Sequence, residues 1–334
     1  MMKLSTTIFS FAPMILRNIT GIGLLSAMLS ACSGNSSVDP NNPTAFTDEA
    51  TYGSCSVSVD ESYSLILDAE REAFEAVYTD AHVKVVYKPE GDLVADIMRS
   101  GDSTRFIIMS RDLTPEEKKY FEARNSHPTL LKIAYDAVAV ITNKEDGCDS
   151  LSVQELRDIL TEKKMTWKDI DVKKKTDTIN IVFDNKRSGN ARFIKEKFLG
   201  SSDKLPRHCY AVNTNADVIT YVHDHPGSLG MIGVNWISDK DDSLSKEIMK
   251  KIKVVAISSD SLPHQFVKPY QAYIAQKKYP LCREVYIINH EGRMGLGTGF
   301  AIYIASDKGQ RIVLKSGLVP ASIPVRIVNI NNEQ

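Results

Sequence analysis

The sequence predicts a mixed α/β protein, because strand-like and helix-like segments alternate through most of its length. Residues 54–59 alternate in the manner of a short strand, and residues 63–78 place apolar side chains at helical spacing. Residues 106–109 form a continuous apolar run, which is typical of a buried parallel strand. This alternation favours an α/β fold over an all-helical or all-strand one.

The first part of this region predicts the order βαβαβα. Its segments are a strand at 54–59, a helix at 63–78, a strand at 83–87, a helix at 93–99, a strand at 106–109 and a helix that starts at Thr114. Thr114 is a favourable N-cap, and Pro115 suits the first helical turn. We therefore expect a sharply defined helix start directly after the third strand.

A second series of strands and helices is predicted from residue 132 onward. Ser152 and Glu155 form a capping box that opens a helix ending near Leu160. The remaining segments are strands at 132–142, 179–183, 229–234, 254–257, 285–289 and 325–330, and helices at 190–199, 216–223, 270–276 and 299–315. The last of these helices is predicted as one continuous element that ends at Lys315, with Gly317 as its stop.

Residues 1–31 have the features of a secretory signal peptide. They contain two basic residues, no acidic residue and a final apolar run. Leu29-Ser30-Ala31-Cys32 resembles the bacterial lipobox, in which the cysteine sulfur receives a lipid. We predict that Cys32 is lipidated, that residues 32–53 form a flexible tether rich in Ser, Asn, Pro and Asp, and that the rest lies in the cell envelope, facing the periplasm or the exterior.

Composition excludes several classes of function. The chain has 41 basic and 42 acidic side chains, so its net charge of −1 offers no electrostatic attraction for nucleic acid. Apart from Cys32 there are four cysteines, which could pair in three ways, and we leave that pairing open. No cluster of Cys and His has the spacing of a zinc site, and we predict no metal and no cofactor.

Three turns between predicted strands and helices share small or hydroxyl-bearing residues. They are Asp60-Glu61-Ser62-Tyr63, Ser110-Arg111-Asp112 and Arg187-Ser188-Gly189-Asn190. Helix starts expose unpaired backbone N–H groups and the positive end of the helix dipole. Any one of these serines could be only a helix cap. Together, at the carboxyl ends of strands in one α/β chain, they indicate a shared crevice that binds a small oxyanion.

The sequence resembles the periplasmic phosphate-binding proteins of bacterial phosphate transporters, and in particular their shorter lipoprotein relatives. The resemblance covers roughly residues 54–328 and depends on the order of several segments. They are Ser110-Arg111-Asp112-Leu113-Thr114-Pro115-Glu116-Glu117, residues 134–143, residues 151–160 with Trp167, Ile181-Val182-Phe183 with Ser188-Gly189-Asn190, residues 227–233, and Tyr279-Pro280-Leu281-Cys282-Arg283.

This resemblance implies a type II periplasmic-binding-protein fold, in which two α/β lobes are joined by two hinge crossovers and a ligand lies in the cleft between them. Lobe 1 would be residues 54–140 plus 279–334, and lobe 2 would be residues 141–278. The ligand-binding positions of the family match Ser62, Tyr63, Glu90, Ser110, Arg111, Ser188, Gly189 and Asn190 of this chain.

The chain departs from the family pattern at three places, two of which are among these positions. Asp184 stands where the family usually has an arginine, Arg111 stands where it has an acidic proton acceptor, and Glu90-Gly91 replaces a common Ser-Gly pair. Glu90, Asp112 and Asp184 are candidate acceptors of a ligand proton. The candidate counter-charges are Lys186, Arg187, Arg192 and Arg111, and of these we expect Arg111 to contact the ligand, because a planar guanidinium can bind two oxygens at once.

The resemblance implies a monomeric solute-binding protein that captures phosphate or a related oxyanion for the permease of an inner-membrane ABC transporter. The altered charges motivate a second hypothesis, an orphan sensor or scaffold that keeps the fold but recognises another small molecule or a protein. A third hypothesis, a hydrolase, has little support because the sequence lacks the motifs of a nucleophile elbow or a zinc protease. We therefore do not expect an enzyme.

Overall fold

The computed structural model describes residues 47–99, 104–146, 148–171, 178–200, 205–238 and 243–322. These residues belong to one compact unit, which runs from Phe46 to Gln334. The predicted signal peptide, the lipidation site Cys32, most of the tether and the predicted strand at 325–330 lie outside the described residues.

Strands and helices alternate as predicted. The strands are β1 (Gly53–Asp60), β2 (Ala81–Lys88), β3 (Thr104–Met109), β4 (Thr129–Asn143), β5 (Ser150–Ser152), β6 (Asn180–Phe183), β7 (Cys209–Ala211), β8 (Ser228–Gly233), β9 (Ile252–Val254), β10 (Ala256–Ser259), β11 (Leu262–Val267), β12 (Cys282–Asn289) and β13 (Val319–Pro320). The helices are α1 (Ser64–Val77), α2 (Glu90–Met98), α3 (Pro115–Glu122), α4 (Val153–Leu160), α5 (Trp167–Ile170), α6 (Gly189–Phe198), α7 (Asn215–Asp224), α8 (Asn235–Ser238), α9 (Ser243–Lys251), α10 (Gln271–Ala275), α11 (Leu296–Ala305) and α12 (Asp307–Lys315).

The main sheet has the strand order β2-β1-β3-β12-β4-β8-β6-β7, and β9 and β13 also pair with β4. β1 pairs in parallel with β2 and β3, and β6 pairs in parallel with β7 and β8. The long strand β4 joins these two groups, since residues 129–137 pair with β12 and residues 138–142 pair with β8. A smaller sheet has the order β11-β10-β5.

The core lies between this sheet and the helices on its faces. The apolar side of α1 buries Phe74, whose ring lies 5.1 Å from that of Phe300 on α11. Phe300 in turn lies 5.9 Å from Phe106 on β3, so one aromatic cluster joins two helices to the sheet. Burial of these large side chains stabilises the group of strands that carries the first two predicted turns.

Helix capping is where the sequence prediction is most accurate. Thr114 accepts a hydrogen bond from the Glu117 N–H, and the Glu117 carboxylate accepts one from the Thr114 N–H, which forms a capping box at α3. Ser152 and Glu155 form the same arrangement at α4. Both predicted helix starts are confirmed.

The helix predicted at 299–315 is wrong as one element, because it is divided into α11 and α12 at Ser306. The backbone of Ser306 is extended, with ψ 168°, and its hydroxyl donates to the Tyr303 carbonyl at 2.6 Å. A methyl group on Gly309 would lie 2.5 Å from the carbonyl oxygens of Tyr303 and Ile304. Only glycine therefore allows the second helix to pack this closely against the end of the first.

The strand predicted at 254–257 is also divided. β9 pairs with β4 of the main sheet, whereas β10 pairs with β5 of the smaller sheet. Val255 lies between them and donates its N–H to Val140. A continuous apolar run in the sequence does not reveal such a change of sheet, because both strands are buried.

The predicted tether extends less far than residue 53. Asp48 is buried, and its carboxylate accepts hydrogen bonds from Arg293 at 2.6 Å and from the Leu296 N–H at 2.9 Å. Asp48 thus binds the start of α11, where a negative charge is favourable. The last residues of the predicted tether are therefore part of the folded body.

Among the described residues, Cys55, Cys209 and Cys282 are free thiols, and the Cys148 thiol donates to the Ser150 carbonyl. Burial raises the pKa of Cys55, Cys209 and Cys282 to about 12, which favours the protonated thiol.

Candidate functional site

The three predicted turns come together at one place. Ser62, Ser110 and Ser188 follow β1, β3 and β6 and are all buried. The Asn190 side-chain amide donates to Ser62 Oγ at 3.3 Å, and a methyl group placed on Gly189 would lie 2.8 Å from Ser110 Oγ. The carboxyl ends of β1 and β3, on one side of β4, and of β6, on its other side, therefore form one crevice.

The start of α6 supplies backbone donors to this crevice. Ser188 caps the helix, since its hydroxyl oxygen accepts from the Ala191 N–H at 3.2 Å and its hydroxyl donates to Asp184 Oδ1 at 2.6 Å. The Gly189 N–H donates to Asp60 Oδ2 at 3.1 Å. A carboxylate of the chain itself thus accepts the first helix N–H that points into the crevice.

The Glu90 carboxylate accepts hydrogen bonds at the Ser110 turn, as Asp60 does at the start of α6. Its Oε2 accepts hydrogen bonds from the Ser110 N–H at 3.0 Å and from the Ser110 hydroxyl at 2.7 Å. The Arg192 guanidinium donates through Nε to Glu90 Oε1 and through Nη2 to Ser110 Oγ at 2.9 Å. Glu90 is only 1% exposed, so these donors surround a fully buried carboxylate.

The arginine that we expected at the site is largely engaged elsewhere. Arg111 makes a two-pronged ion pair with Glu117 at 2.7 and 2.9 Å and also donates to the Asp112 carbonyl at 2.8 Å. Only its Nε faces Glu90, at 3.6 Å from Oε1. The structure therefore places Arg192 rather than Arg111 at the centre of the crevice.

The other predicted charges lie at the edge of the crevice or outside it. Asp112 pairs with Lys118 at 2.6 Å on the surface, and Lys186 is exposed. Arg187 is exposed as well, but its carbonyl accepts from the Gly91 N–H at 2.9 Å and its Nη2 donates to the Gly91 carbonyl at 2.8 Å. Arg187 thus joins the start of α2 to the turn before α6.

A buried ion pair lies next to the crevice. The Tyr63 hydroxyl donates to Asp136 Oδ2 at 3.0 Å, and Arg283 Nε donates to the same oxygen at 2.7 Å. Neither Nη atom of Arg283 has a hydrogen-bond partner. Asp136 and Arg283 are absent from the sequence predictions, although an acid such as Asp136 within the apolar run of residues 133–141 is a recognisable signal.

Asn215 is a third residue near the crevice that is absent from the sequence predictions. Its side-chain amide donates to Glu61 Oε2 at 2.6 Å, and its Oδ1 accepts from the Gly233 N–H at 3.0 Å. The same Oδ1 accepts from Asn190 Nδ2 at 3.2 Å. Thr214 caps the helix at this point, and such a helix start after a short strand could have indicated another turn facing the crevice.

Three acidic side chains of the crevice have shifted pKa values. Burial raises the pKa of Asp60 to about 7, and the nearby charges of Glu90 and Asp184 add to this effect. Burial also raises the pKa of Asp184 to about 6, against the hydrogen bond from Ser188. Burial opposes the ionised form of Glu90 too, but Arg192 and Ser110 outweigh it and its pKa is lowered. At neutral pH, Glu90 is the firmly ionised member of the group.

The described part of the chain contains neither a membrane-spanning helix nor a metal site. No helix there has the length and apolar character needed to cross a membrane. No group of three or more His, Cys, Asp or Glu side chains in the same residues has the arrangement of a metal site.

Comparison with protein families assigns the chain to a known superfamily. The model of the PBP superfamily domain matches residues 44–308, which is most of the chain. The phosphate-binding protein PstS of Staphylococcus saprophyticus is 27% identical over 215 residues, or 62% of each chain. PstS of Staphylococcus aureus is 28% identical over 211 residues, or 61% of this chain and 60% of its own. The chain thus matches about three fifths of the length of these relatives.

Solved structures share the fold at low sequence identity. A substrate-binding protein of Clostridium perfringens, solved with bound phosphate, matches with a TM-score of 0.67 and 21% identity, covering 81% of this chain and 100% of that one. An ABC-type phosphate transport receptor of Vibrio cholerae matches with a TM-score of 0.59 and 19% identity, covering 80% and 100%. These matches confirm the predicted type II periplasmic binding fold and, with the family match, the predicted resemblance. The chain belongs to the PBP superfamily.

Proposed function

We propose that this chain is an extracytoplasmic solute-binding lipoprotein that captures phosphate, or a related oxyanion, for an ABC transporter. The observation that carries the proposal is the convergence of oxyanion donors in one buried crevice. They are the Ser110 N–H and hydroxyl, the Gly189 N–H and the Arg192 guanidinium. Each already donates to an oxygen atom within the chain, and the same geometry suits a dissolved oxyanion.

The number of donors is consistent with useful affinity. A micromolar ligand requires about 8 kcal/mol of net binding free energy. A hydrogen bond that involves a charged group contributes about 1.5 to 3 kcal/mol before ordering costs are subtracted. Several donors must therefore bind the ligand at once, and the crevice brings donors from two turns and one helix to one point.

We further propose that the chain forms two lobes, residues 54–140 with 279–334 and residues 141–278, which close on the ligand. Two crossing segments would form the hinge. The Tyr279 hydroxyl donates to the Val138 carbonyl at 2.9 Å, and the Val138 N–H donates to the Leu281 carbonyl at 2.9 Å. Hinge closure would exclude water from the bound ligand, which strengthens its hydrogen bonds.

The cellular setting is part of the proposal. The signal peptide would be removed, lipid on Cys32 would hold the protein to a membrane of the cell envelope, and a permease would receive the solute. The protein would act as a monomeric carrier without catalysis. The variant Cys32→Ser should appear in the soluble envelope fraction, whereas its retention with the membrane would argue against the lipid anchor.

An orphan sensor is the second candidate. It is favoured by one observation: Glu90 and Asp60 already accept hydrogen bonds from the oxyanion donors, and a third carboxylate, Asp184, is buried beside them. Such a site could recognise another small molecule or a protein. Native mass spectrometry that detected a co-purified organic ligand would favour this candidate.

Calorimetric titration of the purified mature protein tests the two candidates directly. Phosphate, sulfate and molybdate are compared at the same pH and salt concentration. Binding of at least one oxyanion is expected, with phosphate above sulfate, because the acidic groups can accept a proton from phosphate and would only repel sulfate. Absence of heat with all three oxyanions would remove the transport proposal.

A further inference from the structure

We infer that Glu90 is a tethered competitor of the dissolved oxyanion, which enters the crevice by displacing the Glu90 carboxylate. This inference rests on the proposed function, since it concerns how the same crevice is loaded. It makes Glu90 a specificity-determining residue, because a ligand binds only if it serves the Ser110 and Arg192 donors better than a carboxylate does.

The contacts of Glu90 are those of a bound anion. One oxygen accepts from the backbone and the hydroxyl of Ser110, at 3.0 and 2.7 Å, and the other accepts from Arg192 Nε. Arg192 Nη2 completes the group by donating to Ser110 Oγ at 2.9 Å. The donors available to a ligand at this turn are therefore already engaged by a group that the chain supplies.

The position of Glu90 in α2 explains why it is available for this role. It is the first residue of the helix, directly after Pro89, and it is buried. Asp92, the other acid of the same turn, faces the surface and pairs with Arg187 at 2.6 Å. The side chain of Glu90 is thus the only one of the two acids in this turn that enters the crevice.

A role for Glu90 as the acceptor of a ligand proton fits the contacts less well. An acceptor must keep a lone pair directed at the ligand while the surrounding donors remain free to bind it. Here the carboxylate takes up the donors themselves. Asp184 lies in the same crevice and accepts from the Ser188 hydroxyl and the Asn215 amide, so it occupies none of the donors proposed for the ligand and remains available as an acceptor.

Substitution of Glu90 separates these two roles. Phosphate binding is measured by calorimetry for the wild-type protein, Glu90→Ala and Glu90→Gln, after circular dichroism has shown that each variant is folded. We expect Glu90→Ala to bind phosphate at least tenfold more tightly than wild type, because the competing carboxylate is gone. Glu90→Gln keeps the shape of the side chain without its charge, so its phosphate affinity should lie between those of wild type and Glu90→Ala.

Acetate provides an independent measurement. In Glu90→Ala, acetate can enter the vacated position, so 50 to 100 mM acetate (on the order of ordinary buffer concentrations) should weaken phosphate binding. Wild type should be much less sensitive, because its own carboxylate already occupies the donors. The matched control is Asp96→Asn, which removes another buried carboxylate of α2 from its ion pair with Lys88, at 2.7 Å, outside the crevice. Its phosphate affinity should equal that of wild type.

The outcomes distinguish this inference from the proposed function. Tighter binding by Glu90→Ala together with acetate sensitivity supports the competitor. Weaker binding by Glu90→Ala and Glu90→Gln overturns it and assigns Glu90 to ligand contact, while the proposed function stands. Equal affinities in all variants also overturn it. Absence of phosphate binding in every protein, including Glu90→Ala, overturns both the inference and the proposed function.

Discussion

Arg283 and Asp136 face each other across neighbouring antiparallel strands, with Nε 2.7 Å from Oδ2 and both side chains almost fully buried. Tyr63 donates to the same carboxylate oxygen, so the pair positions the last residue of the turn that follows β1. A buried charge of this kind is stable only with its partner present. The pair therefore links the stability of the fold to the geometry of the crevice.

Removal of one partner of this pair should be strongly destabilising. We expect Asp136→Leu or Arg283→Met to lower the free energy of unfolding by about 3 to 5 kcal/mol, because each leaves the buried charge of the other partner uncompensated. The double variant Asp136→Leu with Arg283→Met should lose less than the sum of the two single changes. Urea unfolding followed by circular dichroism measures all three, and strictly additive losses would argue against the pair.

A second buried acid predicts how stability depends on pH. Glu70 lies on α1 among apolar side chains, neither of its oxygens has a hydrogen-bond partner, and burial raises its pKa to about 9. The unfolded chain, with a carboxyl pKa near 4.5, releases the proton earlier than the folded one. The stability due to the neutral acid is therefore complete below pH 4.5 and is lost as pH rises toward 9.

Glu70→Gln should accordingly be more stable than wild type at pH 8, by up to about 5 kcal/mol, since each pH unit above 4.5 costs the wild type about 1.4 kcal/mol. The advantage should disappear at pH 4.5, where the wild-type side chain is protonated and nearly the same shape. Thermal unfolding midpoints across this pH range provide the measurement. A pH-independent difference between the two proteins would contradict the assignment of a neutral buried Glu70.

Gly189 should tolerate no side chain. A methyl group there would lie 2.6 Å from Asp60 Oδ2, 2.8 Å from Glu90 Oε2 and 2.8 Å from Ser110 Oγ, all closer than ordinary contacts. We expect Gly189→Ala to reduce phosphate affinity at least tenfold and to lower the free energy of unfolding by about 1 to 3 kcal/mol. Calorimetry and urea unfolding test the two effects.

Ser188→Ala is the comparison for Gly189→Ala. It removes the cap of α6 and the hydrogen bond to Asp184 but adds no atom to the crevice. We expect a loss of about 1 kcal/mol in stability and a smaller loss of affinity than for Gly189→Ala. If Gly189→Ala binds phosphate as well as wild type does, the crevice is not where the oxyanion lies.

The sequence predicted those parts of the fold that local chemistry determines. The capping boxes at Thr114 and Ser152 need only residues three positions apart, and the structure contains both. The break at Ser306 escaped prediction because the apolar spacing continues across it, and the cause is close packing of two helices at Gly309. Long-range packing of this kind is not encoded within one window of residues.

The candidate site shows the same limit. The three serine turns could be predicted from their small and hydroxyl residues and from their place between predicted strands and helices, because the carboxyl ends of strands bring such turns to one crevice. The arginine that lies in the crevice could not be predicted, because Arg111 is part of the Ser110 turn and Arg192 follows the Ser188 turn. Their roles depend on competing partners, Glu117 for Arg111 and Glu90 for Arg192, which only the folded chain brings together.

This difference between the two arginines leads to a direct prediction about oxyanion binding. Arg192 lies at the centre of the crevice and donates to Ser110 Oγ and Glu90, whereas both ends of the Arg111 fork are held by Glu117. We expect Arg192→Ala to weaken phosphate binding about tenfold or more, since a charged hydrogen bond of about 1.5 to 3 kcal/mol is lost. Arg111→Ala should change the affinity less than about threefold and act mainly on stability, through the loss of its pair with Glu117. Calorimetric titration of both variants at low and high salt is the measurement. An affinity that depends on Arg111 and not on Arg192 would mean that the ligand-bound crevice rearranges its charges, with Arg111 leaving Glu117 to contact the ligand.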